Sequence, residues 1–120
     1  MNPKVNLDQQ FERFHDHWNP RIVATVNDYH VKLVKAHSEF VWHQHQDTDE
    51  LFLVINGQLR IQLQDHDDVA LGPGELFVVP RGVRHRPGAD QETRVLFLER
   101  QDTVNTGDAT RVGTVGERLS

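Results

Sequence analysis

The sequence predicts an all-β domain, an antiparallel sandwich or barrel, behind one short N-terminal helix. Three observations carry this. Apolar residues recur at every second position after Pro20, the resulting runs are six to eight residues long, and turn formers rather than helical segments separate them. Residues 6–18, NLDQQFERFHDHW, are the exception. Leu7, Phe11, Phe14 and Trp18 stand there at spacings of four, three and four, one face of a helix. Asn6 is the expected cap, Gln9 completes a capping box, and Asn19-Pro20 is expected to end the helix.

The predicted strands then follow in order. Residues 21–26 come first, then YHVKLVKA (29–36), EFVWHQH (39–45), ELFLVI (50–55), QLRIQLQ (58–64), ELFVVP (75–80) and TRVLFLE (93–99). Asn27-Asp28, Asn56-Gly57, Asp65 to Asp68, Gly72-Pro73-Gly74 and Pro87-Gly88 are the expected turns. Asn56-Gly57 is the strongest hairpin signal, read as a type I′ turn. Residues 101–120 lose the alternation and form an extended C-terminal tail, either laid across a neighbouring subunit or disordered.

Composition narrows the partners. A chain of 120 residues is read as one domain, 1–120, with a single core. A net charge of −5 argues against nucleic acid or an anionic membrane surface as a partner. Cysteine is absent, which removes disulfides and thiolate ligands and suits a reducing compartment. No stretch has the roughly 18 apolar residues of a membrane span. The N-terminus, MNPKVNLDQQFERF, has no apolar signal region, so a cytoplasmic protein is expected.

The chemistry gathers in VWHQHQDTDELFLVINGQL, residues 41–59. In a strand, His43 and His45 point the same way and can converge on one ion. Glu50 shares a face with Phe52 and Val54, so its carboxylate belongs to an apolar surface, where a cation relieves the cost of burying it. A third imidazole, His85, follows the turn-rich run GPGELFVVPRGVRHRPG. Arg81, Arg84 and Arg86 crowd the same loop and suggest a cationic rim for an anionic ligand, since guanidinium forks match carboxylate and phosphate oxygens. His15, His17, His30, His37 and His66 read as ordinary surface or capping residues.

The combined pattern, H-x-H-x4-E-x6-G followed by G-x5-P-x-G-x2-H, resembles the two signature motifs of the cupin superfamily. Gly57 closes the first motif, and Gly74, Pro80, Gly82 and His85 supply the second. His37 stands where a glycine is common, and Ala89 where the second motif often ends in asparagine; neither position is a ligand in the family. The resemblance implies a double-stranded β-helix (jelly-roll barrel) over about residues 21–99. It also implies one divalent metal bound by His43, His45, Glu50 and His85. Within the superfamily, DTDELFLVINGQL and the trailing VNTGD are similar to the small single-domain proteins called mannose-6-phosphate isomerase-like.

The expected function is that of a metal-dependent enzyme, of isomerase or dioxygenase type, acting on a small polar or anionic molecule such as a sugar phosphate or carboxylate. A non-catalytic sugar- or carboxylate-binding domain and a purely structural metal site are the alternatives. Three imidazoles and a carboxylate accept Fe, Mn, Ni, Zn or Cu alike. A general base is not identified: Arg60, Gln62, Glu75 and Glu99 lie on or near strands whose facing the pattern leaves open. The apolar helix face and exposed sheet edges predict a homodimer.

Overall fold

In the computed structural model, which describes residues 1–119, the chain is mostly β-strand behind a short helix. The elements are α1 (Leu7–Phe11), β1 (Arg21–Val26), β2 (Tyr29–Glu39), β3 (Glu50–Asn56), β4 (Leu59–Leu63), β5 (Val69–Leu71), β6 (Leu76–Val79), β7 (His85–Arg100) and β8 (Glu117–Arg118). They form one eight-stranded sheet organised around the two long strands, β2 and β7, which pair antiparallel from Tyr29↔Arg100 to Glu39↔Gly88. The first part of β7 pairs with β4 and its second part with β3, so β7 is shared between two lobes. Ser38, at φ 65°, follows a register shift between Ala36 and Ser38 where β2 passes from one lobe to the other.

Alternation decides which side chains face inward. Val34, Phe52, Val54, Ile61, Val79, Val95 and Phe97 form one buried cluster with Leu59, Leu71 and Ala89. Phe52 lies directly across from Phe97, with ring centroids 6.2 Å apart. On the opposite face of β2, Leu33 joins Phe11, Phe14 and Val23 in a second cluster. The helix face therefore covers its own sheet, which removes that face from the case for a dimer.

The helix is much shorter than the 6–18 expected. Asn6 does cap it, its side chain accepting from Gln9 N at 3.0 Å, but helical structure stops at Phe11. Tertiary bonds to β2 take over beyond that point. Lys35 Nζ donates to Phe14 O at 2.7 Å, Trp18 N to Lys35 O at 2.9 Å and Trp18 Nε1 to His37 O at 2.8 Å. Phe14 stays buried and Trp18 half-buried while the backbone unwinds, as packing overrides local propensity.

Four other expectations are corrected. Residues 39–45 are not a continuous strand: β2 ends at Glu39 and only an isolated bridge, His43↔His85, follows. Pro87-Gly88 is no turn, because β7 runs straight through it and pairs with β4. Asn56-Gly57 does not make a hairpin, since β3 pairs with β6 and β7 while β4 pairs with β5 and β7. Gly57, at φ 97°, instead crosses between lobes hard against Thr93, whose hydroxyl bonds Gln58 N and O at 3.1 and 3.0 Å. A Cβ at Gly57 would lie only 2.9 Å from Thr93 Cβ, so close approach is what the glycine provides there. The tail, finally, packs on its own chain: β8 pairs parallel with β1, and Asn105 N bonds Thr114 O at 2.9 Å.

Candidate metal centre

The backbone brings the three imidazoles together before any side chain acts. His43 N donates to His85 O at 3.0 Å, His85 N to His43 O at 2.8 Å, and Gly82 N to His45 O at 2.8 Å. Gly82 holds φ 78° in that turn, a conformation that favours glycine. Glu50 and His85 are the first residues of β3 and β7, so the loop carrying His43 and His45 closes over two strand ends.

All four side chains are buried, and their ligand atoms lie within 4.8 Å of one another, a cluster compatible with a divalent metal. His43 Nδ1 bonds Val41 O at 2.8 Å and His85 Nδ1 bonds Val83 O at 2.9 Å. A carbonyl only accepts, so each Nδ1 carries the hydrogen and each neutral ring turns the lone pair of Nε2 to the centre. His85 Nε2 then stands 3.2 Å from Glu50 Oε1, and His45 Nε2 stands 3.5 Å from Glu50 Oε2. Lone pair against carboxylate needs a cation or a proton between them. His45 Nε2 is moreover buried without a hydrogen-bond partner. The donor set fits a metal ion on these grounds.

The local electrostatics agree. Burial, with the neighbouring His85 ring adding to it, pushes the His43 pKa down to about 4, so that ring stays neutral near pH 7.

Beside this cluster lies a narrow cavity walled by Trp18, Pro20, Phe40, Phe52, Pro87 and Phe97, reaching His43 and Glu50 and floored by Asn105. Trp18 stacks on Phe40 at 4.9 Å, and Phe40 meets the His43 ring edge-on at 5.5 Å. None of the three arginines of the exit loop lines this cavity. Arg81 is well exposed, with Nε 3.8 Å from Asp49. Arg84 lends its charge to the region of Asp108, whose carboxyl is held low chiefly by the Gln44 backbone N–H. Arg86 is engaged by Gln62 Oε1 at 2.8 Å, Glu39 at 3.7 Å and the Trp42 ring at 5.4 Å.

Sequence reasoning missed Lys32 and left Glu99 unplaced. Both are fully buried, and Lys32 Nζ lies 2.9 Å from Glu99 Oε1. Glu99 Oε2 lies 4.0 Å from His45 Nε2. The signal was present in the alternation: Val95, Phe97 and Glu99 share an inward face, as do Lys32 and Val34. His30, read as a surface residue, is also buried, opposite Glu99 in the β2–β7 register.

The Cupin domain family matches residues 29–99, and this chain belongs to it. The chain is similar to the uncharacterized protein YdbB of Bacillus subtilis, 35% identical over 77 residues, 64% of this chain and 68% of YdbB. A 3-hydroxyanthranilate 3,4-dioxygenase of Aspergillus fumigatus is 30% identical over 90 residues, 71% of this chain and 47% of its own length. This chain thus spans about half of that enzyme. Among solved structures, a cupin-2 domain containing protein from Shewanella frigidimarina superposes with a TM-score of 0.78 at 45% identity, covering 80% of this chain and 93% of that one. Hydroquinone 1,2-dioxygenase from Sphingomonas, with 4-hydroxybenzoate bound, superposes at 0.74 and 20% identity over 82% of this chain and 32% of its own, which shows the fold alone. Among the described residues, no helix is long and apolar enough to cross a membrane.

Proposed function

We propose that this cupin is a mononuclear metal-dependent enzyme of dioxygenase type, acting on a small molecule with an apolar, flat body and an anionic group. The observation that carries the reading is the buried cluster of His43, His45, Glu50 and His85, with two rings fixed by Nδ1 bonds to carbonyls. These four residues would hold the ion, leaving positions of an octahedral set open. Held there, a redox-active divalent ion would supply Lewis acidity and oxygen chemistry. The jelly-roll barrel expected from the motifs is the frame in which this reading sits.

The chain's own residues supply the rest. Trp18, Phe40, Phe52 and Phe97 exclude water beside His43 and Glu50 and offer flat apolar walls. Such walls suit an aromatic carboxylate better than a sugar phosphate, so oxygenation is favoured over the mannose-6-phosphate isomerase-like reaction. The fungal relative, named as a dioxygenase, supports the same choice. None of the three exit-loop arginines lines this cavity, so the anionic end of the ligand would meet the ion rather than Arg81, Arg84 or Arg86.

Loading the protein anaerobically with Fe(II) and following oxygen uptake with small hydroxylated aromatic carboxylates tests the proposal. Uptake that needs metal and one such compound is the expected result. Stabilisation by sugar phosphates with no oxygen consumption under any loading would replace the oxygenase reading with the isomerase one.

A further inference from the structure

Two buried polar atoms face each other without partners at the edge of the centre: His45 Nε2 and Glu99 Oε2, 4.0 Å apart. Their side chains are 5% and 0% exposed. Buried polar atoms are nearly always partnered, so two orphans in mutual view mark the place of a bound group. Glu99 is not loosely placed. Its other oxygen, Oε1, accepts from Lys32 Nζ at 2.9 Å, and Lys32 is itself pinned by a second bond to Thr103 O at 3.1 Å. That grip fixes the carboxylate and turns Oε2 toward His45.

The charge balance points the same way. The register Leu51↔Leu98 and Phe52↔Phe97, carried one step further, sets Glu50 across from Glu99 on the inner face. Directly opposed carboxylates repel. Lys32 answers one of them, and neutral imidazoles answer neither. A divalent cation on the Nε2 side supplies what is lacking, because uncompensated buried charge is costly.

We propose that Glu99, aimed by the buried Lys32, is a further oxygen donor of the metal centre on its His45 side, meeting the ion or a water bound to it. This rests on the four-residue metal reading above. Lys32 is then a positioning residue, acting through Glu99. A second carboxylate hardens the donor set, so Mn(II) and Fe(II) gain relative to Zn(II) and Cu(II).

The test titrates Mn(II) and Zn(II) into metal-free wild-type, Glu99→Gln, Lys32→Met and doubly substituted Lys32→Met/Glu99→Gln protein, and records the visible spectrum of each Co(II) form. The double variant replaces the buried pair by neutral groups of similar size, which keeps the fold where a single change strands a charge. Loss of Glu99 should weaken Mn(II) binding by about 10–100-fold, the range typical of an outer-shell group, with a much smaller loss for Zn(II). Lys32→Met should shift the Mn-to-Zn affinity ratio in the same direction, which a merely space-filling lysine would not do. A changed Co(II) spectrum assigns direct ligation, and an unchanged one with weakened Mn(II) binding assigns the water-mediated form. Wild-type affinities for both ions in the folded double variant would overturn the inference and leave the four-residue site standing. Failure of wild-type protein to take up any ion would overturn both.

Discussion

His43 shows how a single residue couples the site to stability. Its folded pKa, about 4, lies below the 6.5 of a free imidazole because the ring is buried and faces His85. The unfolded chain therefore takes up a proton that the folded chain refuses between those values. Stability from this group is complete above about pH 6.5 and is lost as pH falls toward 4, a total of roughly 3 kcal/mol at 1.36 kcal/mol per unit. Melting of metal-free protein should fall steadily from pH 7 to 5. His43→Gln should flatten that slope, even if it lowers stability at pH 7. Gly57 makes a second residue-scale case. Gly57→Ala forces a side chain onto Thr93 at positive φ, so a loss of about 1–3 kcal/mol is expected in denaturant unfolding.

At the scale of elements, the loop from Phe40 to Asp49 carries His43 and His45 with little regular structure of its own, and the tail holds it. Asp108 accepts from Gln44 N at 2.9 Å and Gln44 Nε2 at 3.1 Å, and Arg111 lies over the Phe40 ring at 5.5 Å. Gly107 packs so closely that a Cβ would meet Gln44 O and come within 3.1 Å of the His43 ring. Asp108→Ala should thus cost about 1 kcal/mol of stability, as lost hydrogen bonds do. It should also speed metal loss to chelator, although Asp108 is no ligand; unchanged release would show that the loop holds its shape without the tail. The tail's role was not legible in the sequence because its contacts are polar, aperiodic and distant along the chain. The strands themselves were legible, since alternation survives in β3 and the second part of β7. The hairpin at Asn56-Gly57 misled because a glycine needed for close approach looks the same in sequence as one needed for a turn. The helix was over-read for a related reason: helical spacing reports which residues pack inward, and Phe14 is buried and Trp18 half-buried without being helical.

At the scale of the whole molecule, α1 covers only part of the outer sheet face. Leu76 and Val78 on β6 remain exposed at 57% and 41%, beside Leu51 and Leu53 of β3. An apolar patch on an edge strand is a pairing surface, so light scattering at micromolar concentration should give a dimer mass. Leu76→Lys should then return the monomer, while Phe11→Ser should unfold the second core rather than disturb assembly. The cluster of His43, His45, Glu50 and His85 was legible because its members come from two short motifs, each local in sequence. The inward facing of Lys32 and Glu99 was open to the same alternation, but their pairing was not, because it depends on the β2–β7 register, 67 residues apart. All of these scales meet in one quantity, the number of metal ions held per chain after dialysis, measured for wild type, His45→Ala and His85→Ala. The expected result is close to one ion per chain in the wild type and near none in either variant, with all three folded. Full occupancy in both folded variants, or none in wild type reconstituted with each of Fe(II), Mn(II), Ni(II), Zn(II) and Cu(II), would contradict the assignment of His43, His45, Glu50 and His85 as a metal centre.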